Sequence, residues 1–432
     1  MHRSHTAIIL WNLTRGPTTL LPTPSSPPRC RVVEALSEIL PNWLATVLAA
    51  AIAAGIVFGF VGGAAFIFIW LERKVSGRIQ DRYGPTRAGP YGLLQSLADG
   101  IKLVTKEDTT PDGADRFLFK IAPYLAFCAA FCGFIALPFA LGIVPQELSI
   151  AVLFVLAVLS SEVFGVLLAG YASGSKWSLF GGVREAAQVV SYEVPRSLCA
   201  LVPICVAGTL SLTEIGEQQR GPIWNWLIFH DPFTFVAFFI FFTVATAGCK
   251  RAPFDLAEAE SELVAGFHTE YSGMRWSYFF LAEYGSMFAV SGLAALLFLG
   301  GWHSGFLPFE PRDKLGPWLG TAVNLLVFVT KGSLLIVVMM WLRWSLPRLR
   351  IDQVMMVCLK YFLPIACILL LGVCVWQLYL PRPVAKGISY LLTGSTLLMC
   401  VSVLVSAFRS NRFAPSIQVG GAWQLPAAKG GP

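Results

Sequence analysis

Long apolar runs separated by short polar segments dominate this chain from residue 43 onward. A transmembrane α-helix needs about 20 consecutive apolar residues, and this criterion predicts nine spans. They are 43–71, 117–141, 148–171, 185–208, 233–248, 277–300, 318–342, 354–378 and 387–408. The pattern therefore predicts an all-α polytopic membrane protein with about eight to nine transmembrane helices.

One segment between the first two predicted spans, residues 91–108, is amphipathic rather than apolar. One helical face carries Leu94, Leu97, Ile101 and Val104. The opposite face carries Gln95, Asp99, Lys102 and Lys106. This spacing is typical of a helix that lies in the membrane interface. The helix either rests on lipid headgroups or covers an opening through which an amphipathic molecule enters.

The two ends of the chain differ from its middle. Residues 1–41 hold Pro22, Pro24, Pro27 and Pro28 among Ser and Thr, without the pattern of a signal peptide. We interpret them as a disordered extension or as the product of an upstream start codon. A single transmembrane domain is expected over 42–410, followed by a cytoplasmic tail over 411–432.

Positive charge is distributed unevenly between the loops. Most Lys and Arg residues fall in alternate loops, beginning with the segment after the first span. The other loops hold only Arg220, Arg312, Lys314, Arg382 and Lys386. Because cytoplasmic loops are enriched in Lys and Arg, the amino terminus is predicted outside and the carboxyl terminus in the cytoplasm.

Composition agrees with a membrane protein and excludes other classes. Hydrophobic residues make up 56% and charged residues 13% of the chain, whereas soluble domains have about 25% charged residues. The net charge of +7 is explained by cytoplasmic loops, so we expect no nucleic acid as a partner. The ten cysteines form no CxxC pair and no histidine lies within a span. Neither a metal, an iron–sulfur cluster nor a membrane haem is therefore expected in this chain.

An acidic block lies directly after the fifth predicted span. Asp255, Glu258, Glu260 and Glu262 follow Pro253 within a few residues. The spacing predicts a helix on which Asp255, Glu258 and Glu262 share one face. A carboxylate at hydrocarbon depth costs about 2.5–3.5 kcal/mol and usually has a function there. A solvated cytoplasmic loop would hold the same residues without this cost.

Further carboxylates lie inside the predicted spans. Glu162, Glu193 and Glu283 occupy the third, fourth and sixth spans, and Glu193 is spaced to pair with Arg196. Any one of them is explained by a structural ion pair between helices. Together with the acidic block they form a series, which in a membrane interior indicates a proton relay or a hydrated acidic cavity.

Several distinctive motifs occur along the chain. They are Leu71-Glu72-Arg73-Lys74, Gly77-Arg78-Ile79-Gln80-Asp81-Arg82-Tyr83-Gly84-Pro85, Leu97-Ala98-Asp99-Gly100-Ile101-Lys102, Arg251-Ala252-Pro253-Phe254-Asp255-Leu256, Glu258-Ala259-Glu260-Ser261-Glu262-Leu263-Val264, Gly266-Phe267-His268-Thr269-Glu270-Tyr271 and Glu283-Tyr284. These motifs resemble one family of membrane subunits of NADH–quinone oxidoreductase, respiratory complex I, which comprises mitochondrial NADH dehydrogenase subunit 1 and its bacterial relative, the H subunit. They follow the family's order and spacing from about residue 43 to 380.

The resemblance implies a role in quinone reduction coupled to proton translocation, in a bacterial inner membrane. It implies a quinone chamber and interfacial region at Arg73, Arg82, Asp99 and Lys102. It implies an acidic proton channel at Glu162, Glu193, Asp255, Glu258, Glu260, Glu262 and Glu283. It implies supporting roles for Glu72, Arg184, Arg251, Glu270 and Tyr271. Flavin and iron–sulfur clusters are expected in other subunits of the complex, with quinone as the only cofactor-like substrate here. The hydrophilic arm would contact the cytoplasmic loops, and small membrane subunits and lipid would surround the helices.

The chain departs from the family where Gly248-Cys249-Lys250 precedes Arg251, since many relatives have a carboxylate and an Asn there. One acid is missing and one lysine is added. Two alternatives remain at this point. One is the equivalent subunit of a membrane-bound hydrogenase or formate hydrogenlyase, which would keep the acids without needing quinone. The other is a separate ion or solute transporter, but the chain shows no inverted repeats.

Overall fold

The described part of the chain consists of helices joined by loops, and it contains no β-strand. The computed structural model describes residues 41–306 and 311–379, with isolated positions between 384 and 402. The described α-helices are α1 (Asn42–Ile79), α2 (Gln95–Thr105), α3 (Arg116–Cys132), α4 (Ala151–Ser160), α5 (Glu162–Ala172), α6 (Lys176–Ala207), α7 (Leu212–Gln218), α8 (Pro232–Gly248), α9 (Glu260–Leu263), α10 (Gly273–Phe298), α11 (Pro311–Leu315), α12 (Pro317–Ser345), α13 (Ile351–Met355) and α14 (Leu363–Tyr379). A π-helical segment, Met356–Phe362, joins α13 to α14.

The predicted membrane class is confirmed. Six helical stretches are long and apolar enough to cross a membrane, and α8 is a shorter apolar helix. The third predicted span consists of α4 and α5, which meet at Ser161. The fourth begins already at Lys176, before the apolar run. The ninth predicted span is described only in part, at positions 387, 388, 390–396, 398, 399 and 402, which are helical. The extension 1–41 (apart from Pro41) and the tail 411–432 lie outside the described residues, and the predicted orientation stays a prediction.

Contacts divide the chain into two compact units, residues 1–59 and 60–432. The described part of the first unit is the amino-terminal portion of α1. The second unit contains every other helix and all the candidate site residues, so the following description concerns this unit alone.

Helix α10 is the most enclosed helix of the second unit. It packs against α3, α8 and α12, and nearly all its residues from Ala282 to Phe298 are buried. Five phenylalanine rings pack together around its middle: Phe60, Phe134, Phe139, Phe288 and Phe328. Aromatic pairs with centroids at these distances stabilise a core beyond the area they bury, so α10 is a rigid support for the polar side chains at its amino-terminal half.

Helix α2 is the predicted amphipathic helix. Leu94, Leu97, Ile101 and Val104 are all exposed, so the apolar row faces away from the rest of the chain. The turn before α2 depends on Gly92, which has a φ of 77° and on which a Cβ would lie 2.1 Å from the carbonyl oxygen of Pro85. A side chain at this position is excluded by both the conformation and the close approach.

The helix predicted for the acidic block is wrong. Residues 249–259 are irregular, and only the short α9 and a 3₁₀ turn at Gly266–His268 follow. Side chains of α6 bind carbonyl groups of the loop and of the end of α8. Gln188 Nε2 donates to Phe254 of the loop and to Ala247 of α8, and Ser178 Oγ donates to Phe267 of the loop. The loop is thus held by α6 and by short turns of its own backbone, such as Phe254 N to Arg251 O at 2.8 Å. Asp255, Glu258 and Glu262 consequently do not share a helical face.

Candidate functional site

The loop 249–272 brings a group of charged residues together at the level where α1, α6, α10 and α12 meet. Its centre is Arg251, whose side chain is 2% exposed. Arg251 Nη1 donates to both carboxylate oxygens of Glu72, each at 2.9 Å. Arg251 Nε lies 2.5 Å from Glu283 Oε1, and its guanidinium stacks over the ring of Tyr284 at 4.5 Å. One arginine therefore connects two buried carboxylates from α1 and α10.

Glu72 has two further partners. Arg343 Nη1 of α12 donates to Glu72 Oε1 at 2.6 Å, and the hydroxyl of Tyr284 donates to Glu72 Oε2 at 2.5 Å. Charge-assisted hydrogen bonds of this kind compensate for the loss of water around a buried carboxylate. Glu72 is thus held by α10, α12 and the loop together.

Lys250 pairs with Glu162, at the point where α4 and α5 meet. Lys250 Nζ donates to Glu162 Oε1 at 2.6 Å, and both side chains are almost completely buried. Burial alone would lower the pKa of Lys250, but Glu162 and then Glu185 raise it above its ordinary value. Glu185 is 1% exposed, and its Oε2 has no hydrogen-bond partner among the described residues. Lys250 is therefore a fixed cation between carboxylates of two spans.

Glu193 and Arg196 form the ion pair that their spacing predicts. Arg196 Nη2 donates to Glu193 Oε1 at 2.5 Å and to Ser160 Oγ at 3.1 Å. Gly248 leaves room for this guanidinium, since a Cβ there would lie 3.2 Å from Arg196 Nη1. The missing side chain at Gly248 is thus next to the Glu193–Arg196 pair.

Glu258 faces His268 within the loop. Glu258 Oε1 lies 3.7 Å from His268 Nδ1, which is too long for a hydrogen bond. Burial and the nearby Glu283 and Asp255 carboxylates raise the pKa of Glu258 well above its ordinary value. Burial and then Lys250 lower the pKa of His268 to about 4. Burial and the neighbouring carboxylates thus favour the protonated form of Glu258, while burial and Lys250 favour the uncharged imidazole of His268.

The other acids of the block lie towards the outside of this group. Asp255 is buried and its Oδ2 lies 3.4 Å from Arg348 Nη2. Glu262 is exposed and accepts a hydrogen bond from Arg184 Nη1 at 2.6 Å. The side chain of Glu260 lies outside the described residues.

The two remaining predicted residues of the loop have different surroundings. The carboxylate of Glu270 is half-buried and makes no hydrogen bond or ion pair with the described residues. Tyr271 stacks on Phe119 with centroids 4.0 Å apart and donates to the carbonyl of Phe119 at 3.2 Å. Tyr271 therefore fixes the end of the loop to α3 by packing.

A separate polar group lies between the end of α1 and α2. Arg73 Nη1 binds Asp99 Oδ2 at 2.6 Å, and Gln95 Nε2 donates to Asp99 Oδ1 at 3.3 Å. The predicted set is only partly brought together, because Arg82 binds Gln80 and Lys102 is exposed without a contact to Arg73 or Asp99.

Beside this group is a cavity of about 480 Å³, which we call the α1 cavity. Its lining residues are Trp70, Leu71, Lys74, Val75, Arg78, Pro90, Tyr91 and Leu93. None of the four residues predicted for quinone lines this cavity. It nevertheless adjoins them in sequence and combines apolar walls with two cations, a lining suited to an amphipathic ligand with a polar end.

Three residues of the charged group were not assigned to the site from the sequence, although Glu185 is one of the carboxylates within the predicted spans. Arg343 and Arg348 have the pattern of ordinary cytoplasmic-side charges, and nothing in their spacing indicates that they bind Glu72 and Asp255. Glu185 gives a signal, a carboxylate next to an apolar run. Among the described residues, no cluster of three or more His, Cys, Asp or Glu side chains is placed to hold a metal ion.

Fold and site together define the class: an integral membrane protein with a buried network of ion pairs and an exposed amphipathic helix. Comparison with known proteins gives the family. A family model described as NADH dehydrogenase matches residues 51–374, and the chain belongs to this family.

Relatives agree with this assignment, and each of those named here is the H subunit of an NADH-quinone oxidoreductase. The chain is 40% identical over 357 residues to the protein of Anaeromyxobacter dehalogenans, covering 79% of this chain and 83% of that one. It is 45% identical over 307 residues to the protein of Dehalococcoides mccartyi strain CBDB1, covering 71% and 81%. It is 40% identical over 349 residues to the second such protein of Cytophaga hutchinsonii, covering 73% and 96%. The comparisons support the NADH–quinone oxidoreductase assignment and not the hydrogenase alternative.

Proposed function

We propose that this chain is the membrane subunit of a proton-translocating NADH–quinone oxidoreductase that admits quinone and couples its reduction to proton movement. The observation that carries the proposal is the placement of Glu72 and Arg73. These adjacent residues of α1 bind the buried charged group on one side and the Asp99 of α2 on the other. A change of charge or position at the quinone end would thus reach the carboxylates through two adjacent residues of one helix.

The quinone end of the proposed path is the region of Arg73, Arg82, Asp99 and Lys102 with the α1 cavity. A quinone has a polar ring on an apolar chain, so its entrance needs apolar contacts in the bilayer and hydrogen-bonding groups further in. The exposed row on α2 supports the first requirement. The Arg73–Asp99 pair and the cations Lys74 and Arg78 support the second.

The acidic end of the path runs through Glu283, Glu258, Asp255, Glu162 and Glu193. Reduction of a quinone by two electrons adds negative charge that two protons neutralise, so the enzyme must move protons and balance the field as the charge develops. Buried carboxylates that share cations can do this, because protonation of one changes the proton affinity of its neighbours. Glu260 and Glu262 continue the series towards the surface.

The supporting residues hold this series in place. Glu72 and Arg251 connect the helices, Arg184 holds Glu262, and Tyr271 packs the loop against α3. Glu270 belongs to the same loop and is assigned to this group through the family resemblance alone.

The proposal places the chain in a bacterial inner membrane with loop 249–272 on the cytoplasmic side. Other subunits of the complex would bind there, including those of the hydrophilic arm that carry the flavin and the iron–sulfur clusters. Electrons would reach the quinone from these subunits, while this chain would contribute quinone positioning and proton transfer. Small membrane subunits and lipid would cover the apolar helix surfaces.

Asp99→Ala in the assembled complex tests the quinone end. We expect the KM for a short-chain quinone to rise several-fold and sensitivity to quinone-site inhibitors to fall, because Arg73 loses its partner. Protons moved per electron should stay at the wild-type value. Asp108→Ala is the matched control, since Asp108 is also an exposed ion-paired aspartate, bound to Arg275 at 2.9 Å. Unchanged quinone kinetics in Asp99→Ala would contradict the proposed entrance.

A further inference from the structure

The ammonium group of Lys250 lies close both to a carboxylate of a predicted span and to the Glu258–His268 pair of the loop. Its Nζ binds Glu162 at 2.6 Å, and it lies 5.7 Å from the ring centroid of Phe267, the residue before His268. Its side chain is 7% exposed. A cation at this depth is costly unless a carboxylate accompanies it, so its presence needs a reason.

The backbone at Lys250 has an uncommon conformation. Lys250 has a φ of 52°, a left-handed conformation that non-glycine residues adopt uncommonly. Lys250 lies two residues after the end of α8, and its side chain reaches Glu162 at the junction of α4 and α5. The Lys250–Glu162 pair is therefore an anchor that joins the first residues of the loop to a different span.

The same ammonium group acts on the titratable pair of the loop. Lys250 is the second cause, after burial, of the low proton affinity of His268, whose pKa is about 4. It also opposes the rise in the pKa of Glu258 that burial, Glu283 and Asp255 produce. The charged or titratable groups that face Lys250, His268 or Glu258 are Glu162, Glu185, Arg251, Asp255 and Glu283.

We propose that Lys250 is a positioning residue of the proton path, which anchors the loop to Glu162 and keeps His268 uncharged beside Glu258. The inference rests on the function proposed above and adds a residue to it. With His268 uncharged, Glu258 is the group of this pair that gains and loses the proton, and His268 offers it a neutral neighbour. Without Lys250, His268 would compete for the proton.

Lys250→Met tests this inference in the assembled complex in sealed vesicles. Removal of the cation favours the protonated imidazole, so the pKa of His268 should rise from about 4 towards the ordinary value of about 6.5. The number of protons moved per electron should then acquire a new transition and fall as the pH is lowered through about 5 to 6.5. Lys250→Arg keeps the charge and should give the wild-type profile.

Three further variants make the result specific. Lys250→Met with His268→Gln should lack the new transition, because the group that titrates is gone. Lys250→Met with Glu162→Leu removes both charges of the buried pair and replaces the single variant if that variant fails to assemble. Because Glu162 belongs to the proposed acidic path, its reference is Glu162→Leu alone, and the new transition should appear only in the double variant. Lys331→Met is the matched control, since Lys331 is another enclosed lysine but binds the carbonyls of Leu299 and His303; its profile should be that of the wild type.

Hydrogen exchange of peptides from the loop measures the anchor independently of pumping. Exchange should be several-fold faster in Lys250→Met and unchanged in Lys250→Arg. Faster exchange with an unaltered pumping profile would overturn the role of Lys250 in the proton path, while the path itself is tested separately by Glu258→Gln. Unaltered exchange together with an unaltered profile would overturn the role of Lys250 itself, as would a new transition in Lys250→Arg.

Discussion

Arg251→Met is the change to which the charged group should be most sensitive. Arg251 is buried and binds Glu72 and Glu283 at once. Removing one partner of a buried ion pair typically costs about 3–5 kcal/mol, because a charge is left without compensation. The exposed Arg73–Asp99 pair, with 44% and 29% of the side chains accessible, should contribute only about 0–1 kcal/mol. Arg73→Met is therefore the matched control, because it makes the same change of side chain at an exposed ion pair.

The contacts also predict which second change rescues the variant. In Arg251→Met, Glu72 keeps Arg343 and Tyr284, whereas Glu283 has no other ion-pair partner among the described residues. Most of the cost should therefore arise at Glu283. Adding Glu283→Leu should recover much of the lost stability, since replacing a buried ion pair by apolar side chains is often neutral. Adding Glu72→Leu should recover little, because it leaves Arg343 without its partner.

The assay is thermal denaturation of the detergent-solubilised complex, followed by the loss of this chain from it, with the amount of assembled chain in membranes as a second readout. Equal destabilisation by Arg251→Met and Arg73→Met would refute the distinction between buried and exposed pairs. Rescue by Glu72→Leu equal to that by Glu283→Leu would refute the assignment of the cost to Glu283.

Two further changes test other parts of the account. Ile101→Gln interrupts the exposed apolar row on α2 and should raise the KM for a long-chain quinone more than the KM for a short-chain one. An equal increase in KM for the two quinones would show that α2 does not guide the chain of the quinone. Gly266→Ala should prevent normal assembly, since the φ of Gly266 is 63° and a Cβ would lie 1.8 Å from the carbonyl oxygen of Ala257. Gly387→Ala is the control, because Gly387 has open space around it. Normal amounts of assembled Gly266→Ala chain would contradict the described loop.

The spans were predictable because membrane insertion depends on local composition. Eight of the predicted runs coincide with helices or helix pairs, from α1 to α14, and the amphipathic period of α2 is equally local. The acidic block was not predictable in the same way. Its spacing fits a helix, but Gln188 and Ser178 of α6 bind its carbonyl groups instead, and these partners are distant in sequence.

The site follows the same rule, because features local in sequence were predictable and partners distant in sequence were not. Carboxylates within apolar runs, such as Glu162 and Glu283, are visible because they are costly there. Their cations are not visible, since Arg251 lies 179 positions from Glu72 and Arg343 lies 271 positions from it. The one pair that spacing predicted, Glu193 with Arg196, is local to a helix.

The central claim is that carboxylates of this chain couple quinone reduction to proton movement, and Glu258→Gln tests it most directly. Glu258 carries no close ion pair, since His268 is 3.7 Å away, so the amide should preserve the packing while removing a titratable group. The measurement is the number of protons moved per electron in sealed vesicles, with Glu147→Gln on an exposed loop as the control. We predict that the ratio falls well below the wild-type value in Glu258→Gln while the assembled chain still supports quinone reduction. A wild-type ratio in Glu258→Gln would contradict the account.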